Sequence, residues 1–128
     1  MRIISYNVNG IRAAIKKGFL QWIEAANPDI LLIQETKAQP DQIPDIDFNA
    51  LGYQTYWHSA FKKGYSGVGI VTKIQPDHVQ IGMGIDKYDH EGRFIRADFG
   101  DLSIASIYHP SGSSGDLRQA FKMEWLAD

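Results

Sequence analysis

The stretch DILLIQE, residues 29–35, limits the fold more than any other part of the sequence. Four consecutive apolar residues with Asn27-Pro28 in front and a polar end behind describe a strand covered on both faces, with its C-terminal end at a surface. Such a strand needs partners and covering layers, and the preceding segment supplies the first of them. In IISYNV, residues 3–8, side chains alternate faces, so Ile4, Tyr6 and Val8 line one side while Asn7 and Asn9 point from the other. Between the two strands, Ile11, Ile15, Phe19, Trp22, Ile23 and Ala26 recur at spacings of three and four. They predict a helix over 11–26 with one apolar face, a basic first half, a break at Gly18 and an end at Asn27-Pro28. Strand, helix and buried strand make a βαβ start, and the fold class is α/β.

Residues 38–51 carry two prolines and three aspartates and read as a loop with at most short helical turns. Strands are expected at 53–58, 67–72, 78–82, 93–99 and 102–108, several joined by short turns such as Phe99-Gly100-Asp101, which makes the middle a β-meander. Residues 113–128 predict a helix with Ser113 or Ser114 as N-cap and Leu117, Phe121 and Trp125 on one stripe. It has no stop signal, so residues 1–128 read as part of a domain cut near a helix end.

With 128 residues, 44% of them hydrophobic, and 12 glycines, the composition is that of one globular domain. No apolar run approaches the ~20 residues of a membrane span, and no secretory apolar segment follows Arg2, so no membrane partner is expected. The absence of cysteine excludes a disulfide framework and thiolate metal sites. It suits a reducing compartment, and a cytoplasmic location is expected. A formal net charge of −2 excludes a uniformly basic nucleic-acid protein but leaves local clusters such as Arg12, Lys16, Lys17 and Lys62, Lys63.

Asn9-Gly10 is ordinary turn chemistry, since both residues tolerate left-handed backbone angles. Asn7 is different. It lies inside a strand, where Asn has poor propensity and its amide needs partners, and this points to a polar site. His58, His78 and His90 lack ligand spacing, so a zinc site is not expected, and Asp41, Asp45 and Asp47 lack the glycine of a calcium loop.

Four stretches occur in one order: YNVNGIRA (6–13), LLIQETK (31–37), GYSGVGIV (64–71) and IYHPSGSSGDLRQAFKMEWL (107–126), with EGRFIRADFG (91–100) between the last two. Together they resemble the N-terminal half of exonuclease III-type AP endonucleases, in the endonuclease/exonuclease/phosphatase superfamily. The resemblance covers essentially the whole chain. It implies a DNase I-like four-layer α/β/β/α sandwich, of which this chain is the first αβ half, with the other half supplying the second sheet. An apolar sheet face left uncovered by that division would be closed by a symmetric homodimer.

The resemblance also implies roles. Asn7, Glu35 and Tyr108 correspond to catalytic positions, with Glu35 and Asn7 at a Mg²⁺ site that Mn²⁺ can also occupy. Mg²⁺ favours oxygen ligands and commonly takes only one or two protein carboxylates. Asn9, Arg12, Ala13 and Lys17, with Gly64 and Tyr65 on a loop, correspond to DNA contacts, and Lys37 is placed to tune the acidic site. His109 departs from the family pattern and is not expected to act in catalysis. The implied partner is double-stranded DNA with abasic or 3′-blocked ends. The implied reaction is hydrolysis of the phosphodiester 5′ to an abasic site, with 3′–5′ exonuclease activity. Residues that would activate water lie in the second half of such enzymes, so the 128 residues alone are expected to be inactive. Two alternatives remain: another phosphoesterase of the superfamily, acting on inositol phosphate, sphingomyelin or a nucleotide, and a non-catalytic nucleic-acid-binding module.

Overall fold

The computed structural model describes residues 1–85 and 89–109. The helix expected over 113–128 lies outside the described residues. The chain opens as strand β1 (Ile3–Asn7), helix α1 (Ile11–Lys16), helix α2 (Phe19–Ala26) and strand β2 (Ile30–Gln34). β1 and β2 pair in parallel, with Asn7 opposite Gln34. The expected helix is two helices because Gly18 takes φ +103, a left-handed conformation that costs glycine nothing. Asn27, at φ 51, ends α2 by donating its N–H to the Ile23 carbonyl at 2.8 Å.

A 3₁₀ turn (Pro40–Gln42) and the short helix α3 (Asp45–Ala50) follow, and α3 contributes the fully buried Phe48. Strands β3 (Gln54–His58) and β4 (Val68–Thr72) then complete a sheet of order β1-β2-β4-β3, with β4 antiparallel to both neighbours. β4 can lie between them because Gly69 leaves room for the Trp57 ring, whose Cε3 would be 2.2 Å from a Cβ there. Strands β5 (His78–Ile81), β6 (Phe94–Phe99) and β7 (Leu102–Ile107) form a second, fully antiparallel sheet.

Two cores explain the apolar run of β2. Leu31 and Ile33 face Ile11, Phe19, Ile23 and Phe48 on the helical side, while Ile30 packs with Val68 and Ile70 against Ile95 and Ala97 of the second sheet. Alternate residues of one strand thus serve both cores. Each fully buried aliphatic side chain contributes roughly 1.5–3 kcal/mol, so β2 anchors the layers on either side of it.

The α/β class and the helices over the first sheet are as expected, and only the origin of the second sheet differs. The helix, sheet and sheet layers are all present, but the second sheet comes from this chain itself. The meander is confined to β5–β7, because β3 and β4 join the first sheet. The face that was to be uncovered is closed by Ile95, Ala97 and their neighbours, which removes the ground for a face-to-face homodimer. No helix among the described residues is long and apolar enough to cross a membrane.

Candidate active site

β1 and β2 run in parallel and so finish at the same end of the sheet. The end of β7 lies beside them, because Ser106 Oγ donates to the Ile33 carbonyl at 2.7 Å. Gln34 reinforces the junction by donating Nε2 to Ser5 at 3.0 Å and to Ser106 at 3.1 Å. Asn7, Glu35 and Tyr108 leave these three strand ends, so one site draws on both sheets. Asn7 donates Nδ2 to Glu35 Oε1 at 3.2 Å, and its Oδ1 accepts the Asn9 N–H at 2.9 Å. The Lys37 ammonium lies 3.1 Å from Glu35 Oε2 and donates to Asn9 Oδ1 at 2.8 Å.

Tyr108 completes the cluster, with its phenol close enough to the Glu35 carboxylate to feel its charge. Burial pushes the phenol above its ordinary value and the Glu35 charge adds to the shift, while Arg93 opposes it. The phenol therefore stays protonated as a donor at neutral pH. Tyr108 and Asn7 are both neutral donors, suited to charge that develops on a phosphoryl oxygen.

The backbone here is held in uncommon conformations. Asn9 (φ 47), Glu35 (φ 60), Lys37 (φ 51) and Ser66 (φ 52) all occupy the left-handed region. Such residues cost of order 1–3 kcal/mol each and persist only where their surroundings fix them. The fixing bonds run between loops: Gly10 N–H to the Glu35 carbonyl at 2.8 Å, Thr36 N–H to Gly67 at 3.1 Å and Lys37 N–H to Ser66 at 2.8 Å. Gly67, at φ +93, allows the contact, since a Cβ there would lie 2.1 Å from Thr36 Oγ1.

Two clefts flank α1 and share Ala13. Gly10, Arg12, Ala13, Lys16, Lys37 and Gly64 line one of about 430 Å³. Asn9, Ala13 and Lys17 join Tyr6, Phe19 and Trp22 around another of about 390 Å³. Of the residues expected to contact DNA, Asn9, Arg12, Ala13, Lys17 and Gly64 thus line these two clefts, and Lys37 links the first of them to Glu35. Tyr65 turns inward, where its hydroxyl donates to Glu91 Oε1 at 3.1 Å and accepts from Arg93 Nη2 at 2.9 Å. His109 is exposed, and His58 is occupied by the Phe94 carbonyl at 2.9 Å.

Among the described residues no group of three or more His, Cys, Asp or Glu side chains gathers around a metal position. A cation that keeps most of its waters does not need one. The Glu35 side chain is 18% exposed and offers two oxygens, and Asn7 Oδ1 retains a second lone pair. This oxygen set fits Mg²⁺ and does not fit a soft metal. Asn7 turns its nitrogen to Glu35, an orientation that suits a donor holding the carboxylate better than a ligand.

Sequence reasoning missed Arg93, whose side chain is only 1% exposed. The signal was there in GRFIRADF: Arg93, Ile95 and Ala97 alternate at period two, which puts an arginine just before β6 in line with its core-facing residues.

The chain belongs to the endonuclease/exonuclease/phosphatase family, whose profile matches residues 4–128. It is similar to an exodeoxyribonuclease of Bacillus subtilis (strain 168), with 38% identity over 126 residues, covering 98% of this chain and 49% of that protein. It is also similar to the DNA repair nuclease APEX1 of Danio rerio, with 40% identity over 130 residues, covering all of this chain and 42% of that protein. An AP endonuclease from Archaeoglobus fulgidus superposes with a TM-score of 0.88 at 30% identity, over 99% of this chain and 48% of that one. The 3′ phosphatase NExo from Neisseria, bound to a product DNA hairpin, gives 0.86 at 29% identity, over 99% and 49%. The chain spans about half the length of the curated relatives it matches, or less.

Proposed function

We propose that this chain serves as the N-terminal half of a DNA repair nuclease that hydrolyses the phosphodiester 5′ to an abasic site and trims 3′ ends. The observation that carries this reading is the meeting of Glu35, Asn7 and Tyr108 at three strand ends, beside clefts lined by Arg12, Lys16, Lys17 and Lys37. Glu35 would hold Mg²⁺, or Mn²⁺ in its place, and the bound ion would supply Lewis-acid stabilisation of charge on the phosphoryl oxygens. Asn7 keeps the carboxylate oriented and offers a neutral donor to the phosphate. Tyr108 offers a second, and its raised pKa keeps the proton on the phenol. Arg12 and Lys17 would bind backbone phosphates, which fixes register without reading sequence. Tyr108 is a weak base for the attacking water while it holds its proton, so the 128 residues alone are expected not to incise DNA.

The names of relatives, an exodeoxyribonuclease and the DNA repair nuclease APEX1, support the same reading. Basic residues in clefts on both sides of Ala13 favour an extended polyanion over a single phosphomonoester. The test is turnover by the complete protein of a duplex containing one tetrahydrofuran lesion, against inositol phosphate, sphingomyelin and nucleotide substrates. Mg²⁺-dependent incision 5′ to the lesion is expected, and preferential release of phosphate or headgroup from the small substrates would refute the proposal.

A further inference from the structure

We propose that Arg93 is a positioning residue that couples the Gly64–Tyr65 loop to Tyr108, acting on the reaction through the tyrosine. The inference rests on the reading of Tyr108 as a donor to the scissile phosphate. Arg93 is among the largest fully buried side chains of the described residues, at a position where an aliphatic residue would fill the space without bringing a charge out of water. The charge is met on every side. Nε and Nη2 donate to Glu91 Oε1 at 2.9 and 2.7 Å, Nη2 also donates to the Tyr65 hydroxyl at 2.9 Å, and Nη1 donates to the Tyr108 carbonyl at 3.1 Å. The guanidinium also lies over two rings, 5.7 Å from the centroid of Tyr65 and 5.1 Å from that of Tyr108.

The backbone closes the same circuit. Tyr108 N–H donates to the Arg93 carbonyl at 2.9 Å, so residues 93 and 108 are bonded through both main chain and side chain. Gly92 brings Arg93 to this depth: it sits at φ +58, and a Cβ there would lie 2.5 Å from the Ser59 carbonyl carbon. The Gly67 N–H bonds the Gly92 carbonyl at 3.1 Å, which joins the loop carrying Gly64 and Tyr65 to the same support.

A lysine keeps the charge but not the planar fork, and cannot reach Glu91, Tyr65 and the Tyr108 carbonyl together. Gly64 lines the basic cleft, so a shift of its loop moves Tyr65 and the guanidinium, and with them Tyr108. An error of about 1 Å in such a group can cost on the order of 10²-fold in rate.

The test is a double-mutant cycle in the complete protein, read as single-turnover incision of a tetrahydrofuran duplex and as affinity for the same duplex without metal. Arg93→Lys is expected to slow incision by about tenfold or more, with affinity changed by less than about threefold. In a Tyr108→Phe background, which has no phenol to position, Arg93→Lys is expected to cost less than about twofold. A merely structural arginine would cost the same in both backgrounds, and that result overturns the coupling alone. Tyr108→Phe incising at the wild-type rate overturns the reading of Tyr108 and the coupling with it. If Arg93→Lys does not fold, Glu91→Gln, which removes the counter-charge but keeps an acceptor, carries the same cycle with the same two outcomes.

Discussion

Replacing Asn7 by aspartate tests whether that amide faces the carboxylate, because it exchanges a donor for a second anion at the same place. Asn7 Nδ2 lies 3.2 Å from Glu35 Oε1. Two unit charges at that separation repel by about 5 kcal/mol at an effective dielectric constant of about 20, and by about 1 kcal/mol in bulk water. Asn7 is exposed, and Lys37 sits 3.1 Å from the other Glu35 oxygen, so solvent and the ammonium absorb part of the repulsion. The expected loss for Asn7→Asp at pH 7 is therefore about 1–3 kcal/mol. Two carboxylates this close share a proton on acidification. The folded variant then takes up a proton before the unfolded chain does, so its deficit narrows as pH falls from 7 towards 5. Added Mg²⁺ should also narrow it, since a carboxylate pair binds a hard cation better than one carboxylate. Urea denaturation of the complete variant at pH 7 and pH 5, with and without Mg²⁺, measures all three effects. A midpoint equal to wild type at both pH values would refute the contact and the role built on it.

Arg12 lines the basic cleft, with Nη2 donating to the Lys37 carbonyl at 3.3 Å. Arg12→Ala should lower the slope of log affinity for duplex DNA against log salt by about 0.9, the contribution of one phosphate contact; an unchanged slope in a fluorescence anisotropy titration would show that Arg12 touches no phosphate. Tyr53 donates its hydroxyl to the Pro28 carbonyl at 2.7 Å, and burial first, then the charge of Asp29, raises its pKa above 10.0. The folded value lies above the unfolded one, so this contribution is complete below pH 10.0 and is lost as pH rises through the folded value. Tyr53→Phe should lose about 1 kcal/mol at pH 7 and decline less steeply in alkali, which denaturant midpoints from pH 7 to 11 would check.

Local pattern revealed most of the elements. The break at Gly18, the stop at Asn27 and the doubly covered β2 each follow from properties of a few neighbouring residues. The allocation of strands to sheets does not. β4 inserts between β2 and β3 because Gly69 admits Trp57, a relation across twelve residues that alternation along one strand cannot report. The candidate site was legible in local pattern where it departs from strand chemistry, as Asn7 does, whereas Glu35 was reached through the resemblance carried by LLIQETK. The contact of Lys37 with both Glu35 and Asn9 depends on left-handed turns at Asn9, Glu35 and Lys37, which no propensity of Glu or Lys foretells. Arg93 was obscured by its charge, which reads as surface until its inward partners are known.

The central claim is that Glu35 is the metal-holding carboxylate of a nuclease site, and Glu35→Gln in the complete protein tests it most directly. The variant keeps the size of the side chain and one acceptor oxygen, but a neutral amide holds a hard cation poorly and provides less transition-state stabilisation, a loss worth several kcal/mol. Single-turnover incision of an abasic duplex, titrated with Mg²⁺, should fall by about 10²-fold or more, with the metal requirement displaced to higher concentration and affinity for the uncut duplex within about threefold of wild type. Incision at the wild-type rate with an unaltered Mg²⁺ titration would contradict the account.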